Sequence, residues 1–142
     1  LSTEKAAGMQ LVINIDVDDL EKAIQFYTDA LELRLSRRLF GNTVAEMVGA
    51  SSPIQLLLKP AGTNPFSLAN ISREYGRHWT PVHLDFAVDN VCAVVERAIH
   101  AGANLEGQIQ SYPWGQIATM SDPFGHGFCV MQFTTEGYDV AE

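Results

Sequence analysis

The sequence predicts an α+β chain in which two β-α-β-β-β modules form curved mixed sheets around a cavity, with the helices on the outer face. Three observations carry this. A stretch with the two-residue period of a strand runs directly into one with helical period. The same order returns half a chain later: a shift of 71 residues lays Val17-Asp18-Asp19-Leu20 on Val88-Asp89-Asn90-Val91, as duplication of one supersecondary unit would. Each helical stretch is then followed by three short apolar runs punctuated by glycine, asparagine and proline.

In the first module, about residues 9–60, Leu11, Ile13, Ile15 and Val17 alternate with Val12, Asn14 and Asp16, a strand with one buried face. Asp18 followed by Glu21 resembles a capping box, and Leu20, Ile24, Tyr27 and Leu31 continue at helical spacing. "LRLSRRLF" and "TVAEMVG" flank Gly41-Asn42, a pair suited to a tight hairpin turn, and "PIQLLLKP" closes the module. Residues 61–80 are long for a connection. They predict a lid with a short helix near Phe66 to Tyr75.

In the second module, about residues 81–134, "PVHLDFAVDN" is the strand. Asp89 is the expected N-cap; Val91, Val95 and Ala98 form the helical stripe, and Gly102 stops it. "ANLEGQIQ", "GQIATMS" and "GFCVMQF" supply three strands, the last two joined by the turn "DPFGHG". Strand alternation puts Leu84, Phe86 and Val88 beneath the helix, and His83, Asp85 and Ala87 on the other face, toward the cavity.

The 142 residues fit a single domain with a sizeable core. No apolar run approaches the roughly 18 residues of a membrane span. The opening "LSTEKAAG" lacks the apolar centre of a signal peptide and reads as a frayed lead-in. Two cysteines are too few for a disulfide framework, so a reduced, cytoplasmic setting is expected. The net charge of −8 argues against nucleic acid, which needs clustered Lys and Arg, and favours cationic ligands.

Taken together, "VDDLEKAIQFYTDAL", "HLDFAVDN" and "DPFGHGFCVMQF" resemble the helix, strand and turn signatures of the vicinal oxygen chelate superfamily, over about residues 9–134. That superfamily groups glyoxalase I, extradiol dioxygenases, fosfomycin-modifying enzymes and bleomycin resistance proteins, so the resemblance implies a glyoxalase-like fold but not one reaction. It also implies a metal site with one ligand from each of four strands. Those positions fall here on Val12, Gln55, His83 and Cys129. Val12 cannot coordinate, and a lone cysteine within "GFCVM" is commonly a small buried hydrophobe. No cofactor is therefore expected; a divalent metal, if bound, would use His83 and Gln55.

The candidate ligand-binding residues are Asn14, Gln55, His83, Asp85, Trp114, Cys129 and Met131. His83 is the candidate catalytic group. Asp85, two residues on and on the same face, could hold its tautomer, and His83 serves either as ligand anchor or as general base. Trp114 serves as rim packing or as a stacking wall. Met131, on the face of Cys129, makes that wall apolar. His78-Trp79 belong to the lid, while Cys92, His100, His126 and Arg37-Arg38 read as structural, surface or turn residues. The expected function is metal-independent binding of a small aromatic or cationic molecule, in the manner of bleomycin resistance proteins. Its rivals are a metal-dependent glyoxalase-like lyase, isomerase or dioxygenase, and a metal-free enzyme using His83 as base. A homodimer is expected, because open curved sheets leave edges to cover.

Overall fold

A computed structural model describes residues 8–141, so the lead-in expectation lies, except for Gly8, outside the described residues. The first module runs β1 (Ile13–Val17), α1 (Leu20–Leu31), β2 (Arg34–Leu39), β3 (Val44–Val48) and β4 (Ile54–Leu58). The second runs β5 (Leu84–Ala87), α2 (Val91–Ala101), β6 (Asn104–Leu105), β7 (Gln110–Tyr112), β8 (Gly115–Ser121) and β9 (Gly127–Phe133), followed by a 3-10 turn at Gly137–Ala141. The sheets order as β1-β4-β3-β2 and β5-β9-β8-β6, with β7 also on β8. In each, the first strand pairs in parallel with the last: Ile13 opposite Ile54, and Leu84 opposite Phe128. This is the expected duplicated α+β architecture of mixed sheets.

Both helices begin one residue later than the sequence suggests. Asp19, with its carboxylate on the Lys22 amide at 3.1 Å, caps α1, and Asn90, on the Ala93 amide at 3.1 Å, caps α2. A cap side chain reaches the amide three residues on, and here these positions have the extended backbone the geometry needs. Glu21, freed from a capping box, pairs with Arg38 of β2 instead. The buried face of α1 is also wider than its stripe. Ala23, Phe26 and Ala30 are buried with Leu20 and Tyr27, while Ile24 and Leu31 are only half-buried. The helix packs on α2 as well as on its own sheet.

Three further expectations change. Residues 66–75 form no helix. Arg73 and Gly62–Thr63 exchange backbone hydrogen bonds (Gly62 N–H to Arg73 C=O and Arg73 N–H to Thr63 C=O, both 2.8 Å), folding the segment into an irregular loop that leaves Phe66, Leu68 and Ile71 exposed. "ANLEGQIQ" is two short strands, divided at Gly107 with its φ of +88°. The hairpin between β2 and β3 takes four residues, with Phe40, Gly41 and Asn42 all left-handed.

The core lies between helices and sheets: Val17, Phe26, Met47, Leu56, Val91, Met120 and Val130 are essentially inaccessible. Leu56→Ala is expected to cost roughly 2–5 kcal/mol, read as a shift of the urea midpoint at constant slope.

Candidate functional site

β1 and β5 each end their sheet, and a cavity of about 570 Å³ opens between them. Its walls are Leu11, Ile13, Ile15, Leu84, Phe86 and Phe128, with Tyr27 of α1 and the polar groups Asn14, His78, Thr80, His83 and His126. The apolar walls come from the face expected beneath the helices. No ladder bonds join β1 to β5, so at this seam the helix-side face is left partly open. Phe128 and Val130 are buried, whereas Leu84 and Phe86, expected beneath the helix, are half-buried and line the cavity. Leu84→Ala is therefore expected to cost about 2 kcal/mol, the low end of the range for a buried leucine.

The segment before β5 crosses this seam and is tied to both modules. Arg73 pairs with Asp16 at 2.7 Å, and the Tyr75 hydroxyl donates to the Lys59 carbonyl at 2.6 Å. On the other side the His78 amide donates to the Gly125 carbonyl at 2.9 Å, and Arg77 pairs with Glu106. The His126 ring donates to the Asp16 carbonyl (Nε2, 2.6 Å), and its Nδ1 meets Nε2 of His78 at 2.9 Å. His126 is thus a half-buried link between modules and not a surface turn residue. Asp16, near the end of β1, is the partner of Arg73. Trp79 lies against Gly127, where a Cβ would come within 2.1 Å of the indole, and its ring sits 4.8 Å from that of His83.

Asp85 and Cys129 lie on the opposite face of the second sheet, and His83, which also borders the cavity, comes together with them there. Asp85 and Cys129 are cross-strand partners, and Thr119 is the partner of Cys129 on β8. His83 Nε2 lies 3.2 Å from Asp85 Oδ1, with both side chains about one-third exposed (34% and 37%). Cys129 is buried. Burial pushes its thiol above the usual range, the Thr119 hydroxyl at 3.8 Å draws it back, and the nearby Asp85 carboxylate raises it again.

Of the other sequence candidates, Asn14 lines the cavity, and Gln55 stands between Asn14 and Glu46 across the first sheet, outside the lining. Trp114 stacks on Tyr112 (centroids 5.4 Å apart, planes at 4°) and packs near Phe133 and Tyr138. Met131 is buried within reach of the Tyr138 hydroxyl. Neither Trp114, Met131, Asp85 nor Cys129 borders the cavity. Cys92 is exposed on α2 and not a core residue. The 3-10 turn that brings Tyr138 over Met131 carried no periodic signal, and His126 was hidden inside a turn motif.

The metal implied by the resemblance does not fit its four positions. Val12 is half-exposed and presents no donor atom, and the last position holds a buried thiol where a carboxylate would suit an octahedral cation.

Paired β-α-β-β-β modules, each with a parallel first-to-last strand pairing, define the glyoxalase-like fold of the vicinal oxygen chelate superfamily. The chain belongs to the glyoxalase-like domain family, whose model matches residues 12–131. Among curated relatives, the anthracycline biosynthesis protein DnrV of Streptomyces peucetius is 35% identical over 57% of this chain, which spans only 27% of that protein's length. Among solved structures, a glyoxalase-related enzyme from Fulvimarina pelagi has a TM-score of 0.69 at 18% identity, covering 89% of this chain and 88% of its own. TnmS3, an antibiotic-binding protein from Streptomyces sp. CB03234, has a TM-score of 0.62 at 22% identity, covering 92% of this chain and all (100%) of its own. These likenesses are of fold.

Proposed function

We propose that this protein binds a small aromatic or cationic organic molecule in the cavity between β1 and β5, without a metal. One observation carries the reading: a cavity of about 570 Å³ with apolar walls and a few polar groups, Asn14, His83 and Thr80 among them. Drug-sized ligands occupy sites of roughly 300–1,000 Å³ built in this way. The edge-to-face pair Phe86–Phe128 at 5.9 Å offers a wall for a flat ring, and the net charge of −8 favours a cation. The antibiotic-binding role in TnmS3's name and the anthracycline pathway in DnrV's point the same way. In this reading residues 61–80 are a lid within one domain. Exposed Leu11 and Val82 at the cavity wall support pairing as a homodimer, and two free thiols suit a cytoplasmic setting.

The test is a thermal-shift screen of planar and cationic antibiotics and metabolites in chelator. A true ligand at 100 times its Kd adds about 2.7 kcal/mol of stability. His83→Ala should remove most of that shift while leaving the unliganded Tm nearly unchanged, since His83 anchors the ligand and lies outside the core. Binding that appears only after metal is added back, or that ignores His83→Ala, would overturn the reading.

A second reading rests on the 3.2 Å contact of His83 with Asp85, the geometry of a general base held by a carboxylate. Turnover with a pH dependence lost in both His83→Ala and Asp85→Asn would favour it.

A further inference from the structure

We infer that His83, Asp85 and Cys129 form a binding site for a thiophilic divalent cation of the zinc class, built within the second module alone. The three residues offer imidazole nitrogen, carboxylate oxygen and thiol sulfur, with the donor atoms all within 4.8 Å of one another. The inference starts from the misfit of the superfamily's four-strand metal site. Val12 removes a ligand from the first module, and a cysteine replaces the oxygen donor of the last strand. What is left is a softer set gathered on one sheet. Sulfur, imidazole and carboxylate together suit tetrahedral zinc and disfavour magnesium or manganese, which want oxygen.

The scaffold is suited to holding such a set. Asp85 and Cys129 sit opposite each other on the parallel pair β5–β9, so their separation is set by the ladder. His83 precedes β5 by one residue and is backed by the Trp79 ring at 4.8 Å. Thr119, next across on β8, places its hydroxyl 3.8 Å from the sulfur, where it can donate to a thiolate and orient it. Zinc bonds of about 2.0–2.3 Å put tetrahedral donors roughly 3.5 Å apart, so closing on an ion takes side-chain movement of about 1 Å. Three protein donors, two of them partly exposed, leave the fourth position accessible from solvent. On binding, the thiol gives up its proton to solvent and the sulfur lone pair forms the bond to the metal; no redox step is involved.

The inference shares His83 with the organic-ligand reading, but it is tested at Asp85 and Cys129, which lie outside the cavity lining. Metal-stripped protein titrated with Co(II) should develop intense tetrahedral visible bands and a near-ultraviolet sulfur-to-cobalt band, both displaced by stoichiometric zinc. Cys129→Ser should abolish the sulfur band, His83→Ala and Asp85→Asn should each weaken zinc binding at least about tenfold, and Gln55→Ala should leave it unchanged. Alkylation of Cys129, mapped separately from the exposed Cys92, gives a readout on the unmutated chain: zinc should protect Cys129 and magnesium should not. Absence of a Cys129-dependent band, or alkylation unaffected by zinc, would overturn the inference. Equal losses in Gln55→Ala and Cys129→Ser would return the metal to the four-strand arrangement and overturn it too. Failure to find an organic ligand leaves these outcomes untouched.

Discussion

Asp122→Ala is expected to destabilise the protein by about 3–5 kcal/mol, a large part of the roughly 5–15 kcal/mol that holds a domain folded. The carboxylate is buried (2% exposed) and saturated. One oxygen accepts the Phe124 and His126 amides at 2.8 and 2.9 Å, and the other accepts the Tyr27 hydroxyl at 2.6 Å. Alanine would orphan three donors and uncouple α1 of the first module from the turn of the second. Asp122→Asn keeps an acceptor for both amides and should cost far less, so the difference between the two variants, from urea unfolding, isolates the donors' desolvation. Tyr27 supplies a pH signature. Burial, then the charge of Asp122 and its hydrogen bond, hold the phenol well above its ordinary value of 10.0. Above pH 10 the unfolded chain has lost this proton while the folded chain retains it. Stability is then complete below that value and falls by up to about 1.4 kcal/mol per pH unit as pH rises through the folded value. Tyr27→Phe should flatten that decline.

Gly125→Ala should be nearly as damaging, for a steric reason. Its φ of +82° is left-handed, and a Cβ there would lie 2.2 Å from the Gly76 carbonyl oxygen and 2.6 Å from its carbon. Those are backbone atoms, so relief requires moving the segment before β5 away from the turn and breaking the bond from the His78 amide to the Gly125 carbonyl. Gly107→Ala is the control. Its φ of +88° is equally unfavourable, yet nothing lies within 4 Å of its Cβ. Gly107→Ala should cost about 1–2 kcal/mol, the left-handed penalty alone, and Gly125→Ala roughly twice that or more. Equal costs would mean that the Gly76 backbone does not rest on the turn. Limited proteolysis within residues 61–80 should accelerate in Gly125→Ala and not in Gly107→Ala.

The repeat was legible because the duplicated unit keeps its signals in order: alternation, a capped helix, then turn residues between apolar runs. Asp18 and Asp19, and Asp89 and Asn90, offer two adjacent cap side chains, and the extended backbone that selects the second of each pair is a property of the strand-to-helix bend. The loop at 62–75 carries no such signal, since its two-way bonding between Arg73 and Gly62–Thr63 has no local period.

By itself the sequence determined the fold class, the two modules and the shared strand face of His83 and Asp85, since strand alternation and helical spacing are local consequences of backbone geometry. The tertiary structure decided how the modules meet. It opened the seam between β1 and β5, so that Ile13, Leu84 and Phe86 line a cavity instead of lying wholly under helices. It drew His126, Asp16 and Asp122 into cross-module bonds, moved Trp114 into an aromatic cluster away from the cavity, and set Cys129 beside Asp85. Each of these depends on contacts between residues far apart in the chain, where burial and desolvation, and not local propensity, select the arrangement.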